Sequence, residues 1–413
     1  MRILILQDDF PPLNLGGAGT IAFAYARELV SRGHEVQVVT TVRSQNDTGT
    51  SEYQGLTMHK IWSSYDLRFQ SHVSLWNPGV VRQVSEILTA FKPEVVHAHN
   101  VHGYLSYASL RAAKRSGARV ILTCHDVMPF NYGKFVQYID PSDLSIPHTF
   151  NYKINPWRQL RDERFRYNPL RNLLIRRTLS RYVDDVVAVS EALKDALEQN
   201  GVRNVKVIHN GIDTALWETS ENEVAQFKDK YRLGNSVVLF SGKPVVVKGG
   251  RKLIEAMASC AQDVPDIQLL VLGREGKDTE LLCKYAEEKG VADKLVFSGW
   301  LSGAELRAAY HASSLVTVPS LCFDSFPTMI LEAFACKKPV IATCFGGSSE
   351  IVEDGVSGYI INPFDVKALS SKLHELLSDG KKAALFGDSG FNRIKQDFTL
   401  ERGNMEYESL FTR

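Results

Sequence analysis

Short, unbroken apolar runs alternate with helix-patterned segments along almost the whole chain, and this alternation narrows the fold more than any single motif. Arg2–Leu6, Glu35–Thr40, Met58–Ile61, Glu94–His97, Val120–Thr123, Val186–Val189, Val237–Ser241, Gln268–Leu272, Leu295–Phe297 and Leu315–Val318 read as strands. A continuous apolar run of four to six residues suits a strand covered on both faces. Between them, Thr20–Ser31, Val80–Phe91, Tyr104–Arg115, Glu191–Gln199, Ala304–His311, Val366–Ser378 and Leu400–Leu410 carry helical patterning, and Gly33 marks the end of the first. Strand and helix in strict alternation imply βαβ units and parallel, Rossmann-like sheets. A length of 413 residues allows two such domains, each with its own core. The polar stretch Glu218 to Asn235, ahead of a new strand at Val237, puts the division at 1–215 and 216–396.

Composition excludes several classes. Hydrophobic residues make up 44% and charged residues 23%, as in ordinary globular domains, and the net charge of +1 argues against a general polyanion or nucleic-acid binder. No apolar run approaches the roughly 18 residues of a membrane-spanning helix. The six cysteines (Cys124, Cys260, Cys283, Cys322, Cys336, Cys344) lack metal-site spacing and read as reduced core residues, which implies a cytoplasmic compartment. The N-terminus starts directly on a strand, so no signal peptide is expected.

One segment breaks the rhythm. Between Asn151 and Arg181 stand nine cations (Lys153, Arg158, Arg161, Arg164, Arg166, Arg171, Arg176, Arg177, Arg181) against Asp162 and Glu163, interleaved with Tyr152, Trp157, Phe165 and Tyr167 after Phe150. This is either an excursion packed on the first domain with a solvated face, or a region for the acceptor or an anionic membrane surface through 150–181.

Polar clusters fall at the C-terminal ends of the strands, where open α/β sheets place ligands. After the first strand come Gly16-Gly17-Ala18-Gly19, opening a helix. The match of Gly17-Ala18-Gly19-Thr20-Ile21-Ala22 to a dinucleotide fingerprint fails on spacing: about ten residues separate it from the strand, and the second strand lacks its terminal acid. His97-Ala98-His99-Asn100-Val101-His102 and His125-Asp126 end two further strands, with no carboxylate or Cys at ligand spacing to complete a metal site. In the second half, Gly242-Lys243 and Lys248-Gly249 follow a strand. Two cations at the mouth of a strand–loop–helix unit can neutralise a diphosphate. Asp324 and Glu332 stand eight positions apart around a helix start, with Ser325 as the expected N-cap and Pro327 in the first turn. Free N–H groups there suit a diphosphate.

The order Gly-rich loop, His125-Asp126, His209-Asn210-Gly211-Ile212-Asp213, Lys248-Gly249, and Asp324 to Glu332 followed by Gly346-Gly347-Ser348-Ser349-Glu350 resembles glycosyltransferase family 4, across roughly 1–126 and 183–413. The resemblance implies a GT-B fold: two Rossmann-like domains facing across a cleft, with 397–413 packing back on the first. It implies that the first domain takes the acceptor, through His99, Asn100 and His102. The second takes a nucleotide-diphosphate sugar, which is a substrate rather than a cofactor. His125, Lys243, Lys248, Asp324 and Glu332 become the catalytic set. Gly16, Gly17, Gly19, Gly242, Gly273, Trp300, Leu301, Ser325, Phe326, Pro327 and Thr328 become nucleotide-sugar contacts. Three positions depart from the family pattern: Asp324 where Glu is usual, Lys243 for Arg, and Pro327 for a frequent Gly.

The implied reaction moves a sugar to a saccharide or lipid-linked acceptor with retention and with no metal required. Positive charge builds on the sugar and negative charge on the departing phosphate. Cations and a helix start are the groups to stabilise that phosphate. Asp8-Asp9 and Asp184-Asp185 read as loop and helix-end acids. Two alternatives share the architecture: a GT-B epimerase, and a nucleotide-binding GT-B protein without transferase activity.

Overall fold

The computed structural model describes residues 1–13, 16–147, 149–242, 246–274 and 276–413. The chain forms two compact units. One comprises Met1–Tyr138, Asn151–Asn210 and Leu400–Arg413, the other Ile139–Phe150 and Gly211–Thr399. Ile139–Phe150, which the sequence-based division kept with the first domain, is thus part of the second unit. Asn362 holds it there, with Nδ2 donating to the carbonyls of Asp143 and Ser145, 2.9 Å each.

The first unit is built on β1 (Arg2–Leu6), β2 (Glu35–Val42), β3 (Gly49–Tyr53), β4 (Leu56–Trp62), β5 (Val95–Ala98), β6 (Arg119–Cys124), β7 (Asp185–Ala188) and β8 (Val205–Val207). They lie in the order β3-β4-β2-β1-β5-β6-β7-β8, and all pairs are parallel except β3 with β4. Ile3, Leu4, Ile5 and Leu6 have no exposed surface, as expected for a strand with helices on both faces. Each such side chain contributes about 1.5–3 kcal/mol by burial. The closing helix Leu400–Phe411 belongs to this unit. Its Tyr407, Leu410 and Phe411 join Ile3, Ile5, Tyr25 and Val187 in one core. Glu408 on the same helix accepts from Arg32 Nη2 at 2.7 Å and lies 2.8 Å from His34 Nε2.

The second unit carries β9 (Val237–Ser241), β10 (Gln268–Leu272), β11 (Leu295–Gly299), β12 (Leu315–Val318), β13 (Val340–Thr343) and β14 (Gly358–Ile361). They are all parallel, in the order β11-β10-β9-β12-β13-β14. Parallel neighbours bring the loops that follow them to one edge of the sheet, and the polar motifs of this unit sit on those loops.

Several helices differ from expectation. The helix expected at Tyr104–Arg115 begins at Ala108, and the polar stretch between the two halves holds a helix, Glu221–Tyr231. The first helix of the chain begins at Gly17 rather than Thr20, with Gly16 as its N-cap. The helix before Glu332 begins at Thr328, with Pro327 in the N-cap position and extended. An 18-residue helix, Gly380–Asp397, fills a stretch that the sequence left unassigned. Among the described residues no helix is long and apolar enough to cross a membrane.

Candidate active site

In the second unit the loop after β9 and the loop after β12 meet. Lys248 Nζ donates to Asp324 Oδ2 at 2.5 Å, and Ser320 Oγ donates to the same oxygen at 2.8 Å. Both charged side chains are largely buried. Burial works against the Lys248 ammonium, but the Asp324 charge and hydrogen bond outweigh it, and the pKa is raised. The cation is therefore held in place and charged at neutral pH. Gly242 lies against the Lys248 stem. Lys243, expected as the second cation, lies outside the described residues.

Asp324 itself is fixed by its backbone. Its N–H donates to the Phe345 carbonyl at 3.0 Å, and its carbonyl accepts from Gly347 N at 2.9 Å. Gly346 lies opposite at φ +109°, and a Cβ there would fall 2.1 Å from the Asp324 carbonyl oxygen, so no other residue fits. This strand-like bridge carries the chain extended through Asp324. Ser325 is consequently not the N-cap. It and Phe326 are buried, and Phe326 packs edge-on against Phe398. Glu332 then falls about one turn into the helix. Its Oε2 accepts from the Tyr310 hydroxyl. Burial raises the Glu332 pKa, while hydrogen bonds from Tyr310 and Thr328 pull it down. Trp217 meets the Tyr310 ring edge-on, with centroids 5.3 Å apart.

Beyond β10 and β11, Gly273 N donates to the Gly299 carbonyl at 3.0 Å. Trp300 follows with 49% of its surface exposed, and the Arg274 guanidinium lies 5.7 Å from its ring centre. Trp300 is therefore not a core residue, whereas Leu301 is buried.

In the first unit, adjacent parallel strands β5 and β6 end in the histidines. His99 Nδ1 and His125 Nε2 are 2.9 Å apart, with the rings stacked. His99 is only 1% exposed, while His125 is half-buried. Asp126 Oδ2 accepts from Asn100 Nδ2 at 3.3 Å and lies 3.4 Å from His102 Nε2, and Asp126 Oδ1 accepts from the Met128 N–H at 2.9 Å. Burial pushes His125 down to about 4, against the raising effect of Asp126, and pushes His99 well below its ordinary value. Gly16 caps the first helix, with Gly17 and Gly19 in its first turn.

Two models of known families match the chain. "Glycosyltransferase Family 4" covers residues 15–216 and "Glycosyl transferases group 1" covers 222–393. The chain belongs to glycosyltransferase family 4 (glycosyl transferases group 1). Similar family members include the glycogen synthase of Mycobacterium tuberculosis, 23% identical over 96% of this chain and 91% of the relative. Another is the GDP-mannose-dependent alpha-(1-6)-phosphatidylinositol monomannoside mannosyltransferase of Mycolicibacterium smegmatis, 26% identical over 94% of this chain and 92% of the relative. Among solved structures, Anabaena HepE in complex with UDP and glucose superposes with a TM-score of 0.74 at 20% identity, covering 100% and 99% of the two chains. The sucrose-phosphate synthase of Thermosynechococcus elongatus gives 0.78 at 19% identity, covering 100% and 98%. The fold is GT-B, and this family 4 chain is a glycosyltransferase that draws its sugar from a nucleotide-sugar.

Structural partners of these residues escaped sequence reasoning in the family 4 chain. Asp8, taken for a loop acid, is buried and accepts from the N–H groups of Gly103 (2.6 Å), Tyr104 (2.8 Å) and Leu105 (2.6 Å), so it shapes the loop that carries His102. Its place two residues after β1 was the available signal. Tyr310 carried no signal, because it reaches Glu332 from a separate helix, whereas Ser320 lies only four residues before Asp324 in the same loop. Among the described residues no group of three or more His, Cys, Asp or Glu is arranged to hold a metal ion.

Proposed function

We propose that the chain transfers a sugar from a nucleoside-diphosphate sugar to a saccharide or lipid-linked acceptor, with retention of the anomeric configuration and without a required metal ion. The observation that carries this reading is the Lys248–Asp324 pair, 2.5 Å apart in the loops that follow β9 and β12. Lys248 neutralises the departing diphosphate, together with the N–H groups at the Thr328–Ala335 helix start. Asp324 orients a hydroxyl of the transferred sugar, and Glu332 receives the ribose hydroxyls. Trp300 and Gly273 lie toward the base. His125 faces the sugar, with Asn100 and His102 on the acceptor side. The relatives named above, a glycogen synthase and a phosphatidylinositol monomannoside mannosyltransferase, span both acceptor classes.

The test is thermal stabilisation by UDP, GDP, ADP, CDP and dTDP in the presence of EDTA. A nucleotide at 100 times its dissociation constant adds about 2.7 kcal/mol. One of the five raises the melting temperature with EDTA present, and Lys248→Ala removes most of that rise. Stabilisation that appears only with Mg²⁺ overturns the metal-independent part. Stabilisation by none of them overturns the donor site. An inverted anomer in the product overturns retention alone.

The first unit adds a second contact surface. Its excursion buries Tyr152, Tyr167 and Arg171, but Trp157 stays 78% exposed and Leu170, Leu173 and Leu174 are exposed beside Arg177 and Arg181. This mixture supports attachment to an anionic membrane surface, where a lipid-linked acceptor would be found.

A further inference from the structure

The imidazoles at the ends of β5 and β6 form a chain with a definite direction. His99 Nδ1 and His125 Nε2 share one hydrogen bond of 2.9 Å, so one of these nitrogens carries the proton and the other accepts it. The choice is set at the far side of His99. Its Nε2 is buried and has no hydrogen-bond partner. A proton there would leave an N–H donor orphaned in the interior, a rarer and costlier arrangement than an under-used acceptor. The neighbouring His97 cannot relieve it. Its ring lies against His99 with centroids 4.2 Å apart, its Nε2 is committed to Thr123 Oγ1 at 2.9 Å, and its Nδ1 is itself buried without a partner. Thr123 is in turn 2.9 Å from the Tyr407 hydroxyl. The His99 proton therefore sits on Nδ1 and is donated to His125 Nε2. With Nε2 of His125 occupied as an acceptor, the one proton of the neutral His125 ring sits on Nδ1.

We propose that His99 is a positioning residue: by donating from Nδ1 it locks His125 as the Nδ1–H tautomer, so that His125 offers the reacting sugar a hydrogen-bond donor and not a base. This assigns His99 a place behind the site, in keeping with its 1% exposure, where the sequence pattern had given it a direct contact with the acceptor. It also gives the proton balance of the site a direction. His125 orients or stabilises an oxygen of the sugar, and the acceptor's proton leaves by another route, on to the departing phosphate oxygen. The inference rests on the reading that His125 faces the sugar.

Nitrogen-15 NMR of the full-length, ligand-free protein labelled at its 11 histidines separates the two layers, with His125→Gln identifying the His125 signals. The expected result is an Nδ1–H tautomer at His125, lost or mixed in His99→Leu and kept in His99→Asn, whose amide N–H can stand at the position of Nδ1. Release of nucleoside diphosphate from whichever of UDP-glucose, GDP-mannose or ADP-glucose the protein turns over is then compared. His99→Leu lowers kcat roughly 10–100-fold, the range for partners that orient a functional imidazole, with KM for the nucleotide-sugar within about 2-fold, and His99→Asn recovers most of the loss. An Nε2–H tautomer at His125 in the unaltered protein overturns the proposal. Equal kinetic losses in the Leu and Asn variants with an unchanged tautomer also overturn it and leave His99 a packing residue. A protein that turns over no nucleotide-sugar, yet shows the expected tautomers, overturns the functional reading and leaves the His99–His125 lock standing.

Discussion

At the scale of single residues, the site is governed by short contacts that hold charges before any substrate arrives. Asp324 is one carbon shorter than the Glu usual in the family, and the structure uses that shortness: the carboxylate sits directly on Lys248 and Ser320. Tyr310 does for Glu332 what Lys248 does for Asp324. It approaches from the separate helix Gly303–Ala312 and fixes one carboxylate oxygen. The phenol cannot supply a charge, so its effect is orientation. Replacing Tyr310 by Phe removes a hydrogen bond to a carboxylate, worth about 1.5–3 kcal/mol, so the cost of that variant is partly borne in ligand-free stability. The remainder appears in binding. Titration calorimetry with the preferred nucleoside diphosphate is expected to show affinity reduced roughly 10-fold in Tyr310→Phe and more in Glu332→Ala. Unchanged affinity in both would remove Glu332 from the ribose site.

At the scale of elements, legibility followed the type of force involved. The parallel strands were readable because burial on both faces demands unbroken apolar runs, and Arg2–Leu6, Val237–Ser241 and Gln268–Leu272 are strands over the expected residues. The helix before Glu332 was misplaced because Ser325 is a good N-cap by local preference, while the long-range bridge from Asp324 to Gly346 keeps the chain extended past it. The helix Gly380–Asp397 was missed because its three glycines disfavour helix locally. Two of them are packing requirements: a Cβ on Gly387 would fall 2.0 Å from the Lys337 carbonyl oxygen, and one on Gly390 2.3 Å from the Phe334 ring. The spacing of Asp324 and Glu332 was visible in sequence, but the pairings that hold them were not, since Lys248 and Tyr310 reach them from separate elements. The histidine array at the ends of β5 and β6 has its own consequence for stability. His97, His99 and His125 are all lowered, first by burial, with His97 at about 3 and His125 at about 4. Once unfolded, each takes up a proton near pH 6.5. Between that value and the folded one the unfolded chain binds more protons, so these residues make stability fall as pH falls, by at most about 1.4 kcal/mol per pH unit for each. Denaturant titrations from pH 7.5 to 4.5 are expected to show this loss, and a shallower slope in His125→Gln. An identical slope in the variant would mean that His125 is already solvated in the fold.

At the scale of the whole molecule, a net charge of +1 conceals a strong local imbalance. The helices Pro156–Glu163 and Arg171–Tyr182 carry most of it, and they do not carry it evenly. Arg171 is buried, with the Tyr132 ring 5.7 Å from its guanidinium, and contributes nothing to the surface. Asp162 offsets Arg158 and Arg161, at 3.7 and 3.2 Å. What remains outward is a stripe at helical spacing, Leu170, Leu173, Leu174, Arg177 and Arg181, with Arg164, Arg166 and Trp157 nearby. Each arginine near an anionic bilayer adds about 1 kcal/mol, and four of them about 4 kcal/mol, while the leucines and Trp157 add a contribution that salt does not screen. Two dependences therefore separate the parts of the stripe. Co-sedimentation with phosphatidylglycerol-containing vesicles is expected at low ionic strength and to weaken as the Debye length shrinks from about 10 Å at 0.1 M salt to about 3 Å at 1 M. Arg177→Gln with Arg181→Gln flattens that salt dependence. Leu173→Ser with Leu174→Ser weakens binding at every salt concentration. If the unaltered protein stays in the supernatant at low salt, the stripe is a solvated face, and the acceptor must be one that the enzyme meets away from a bilayer.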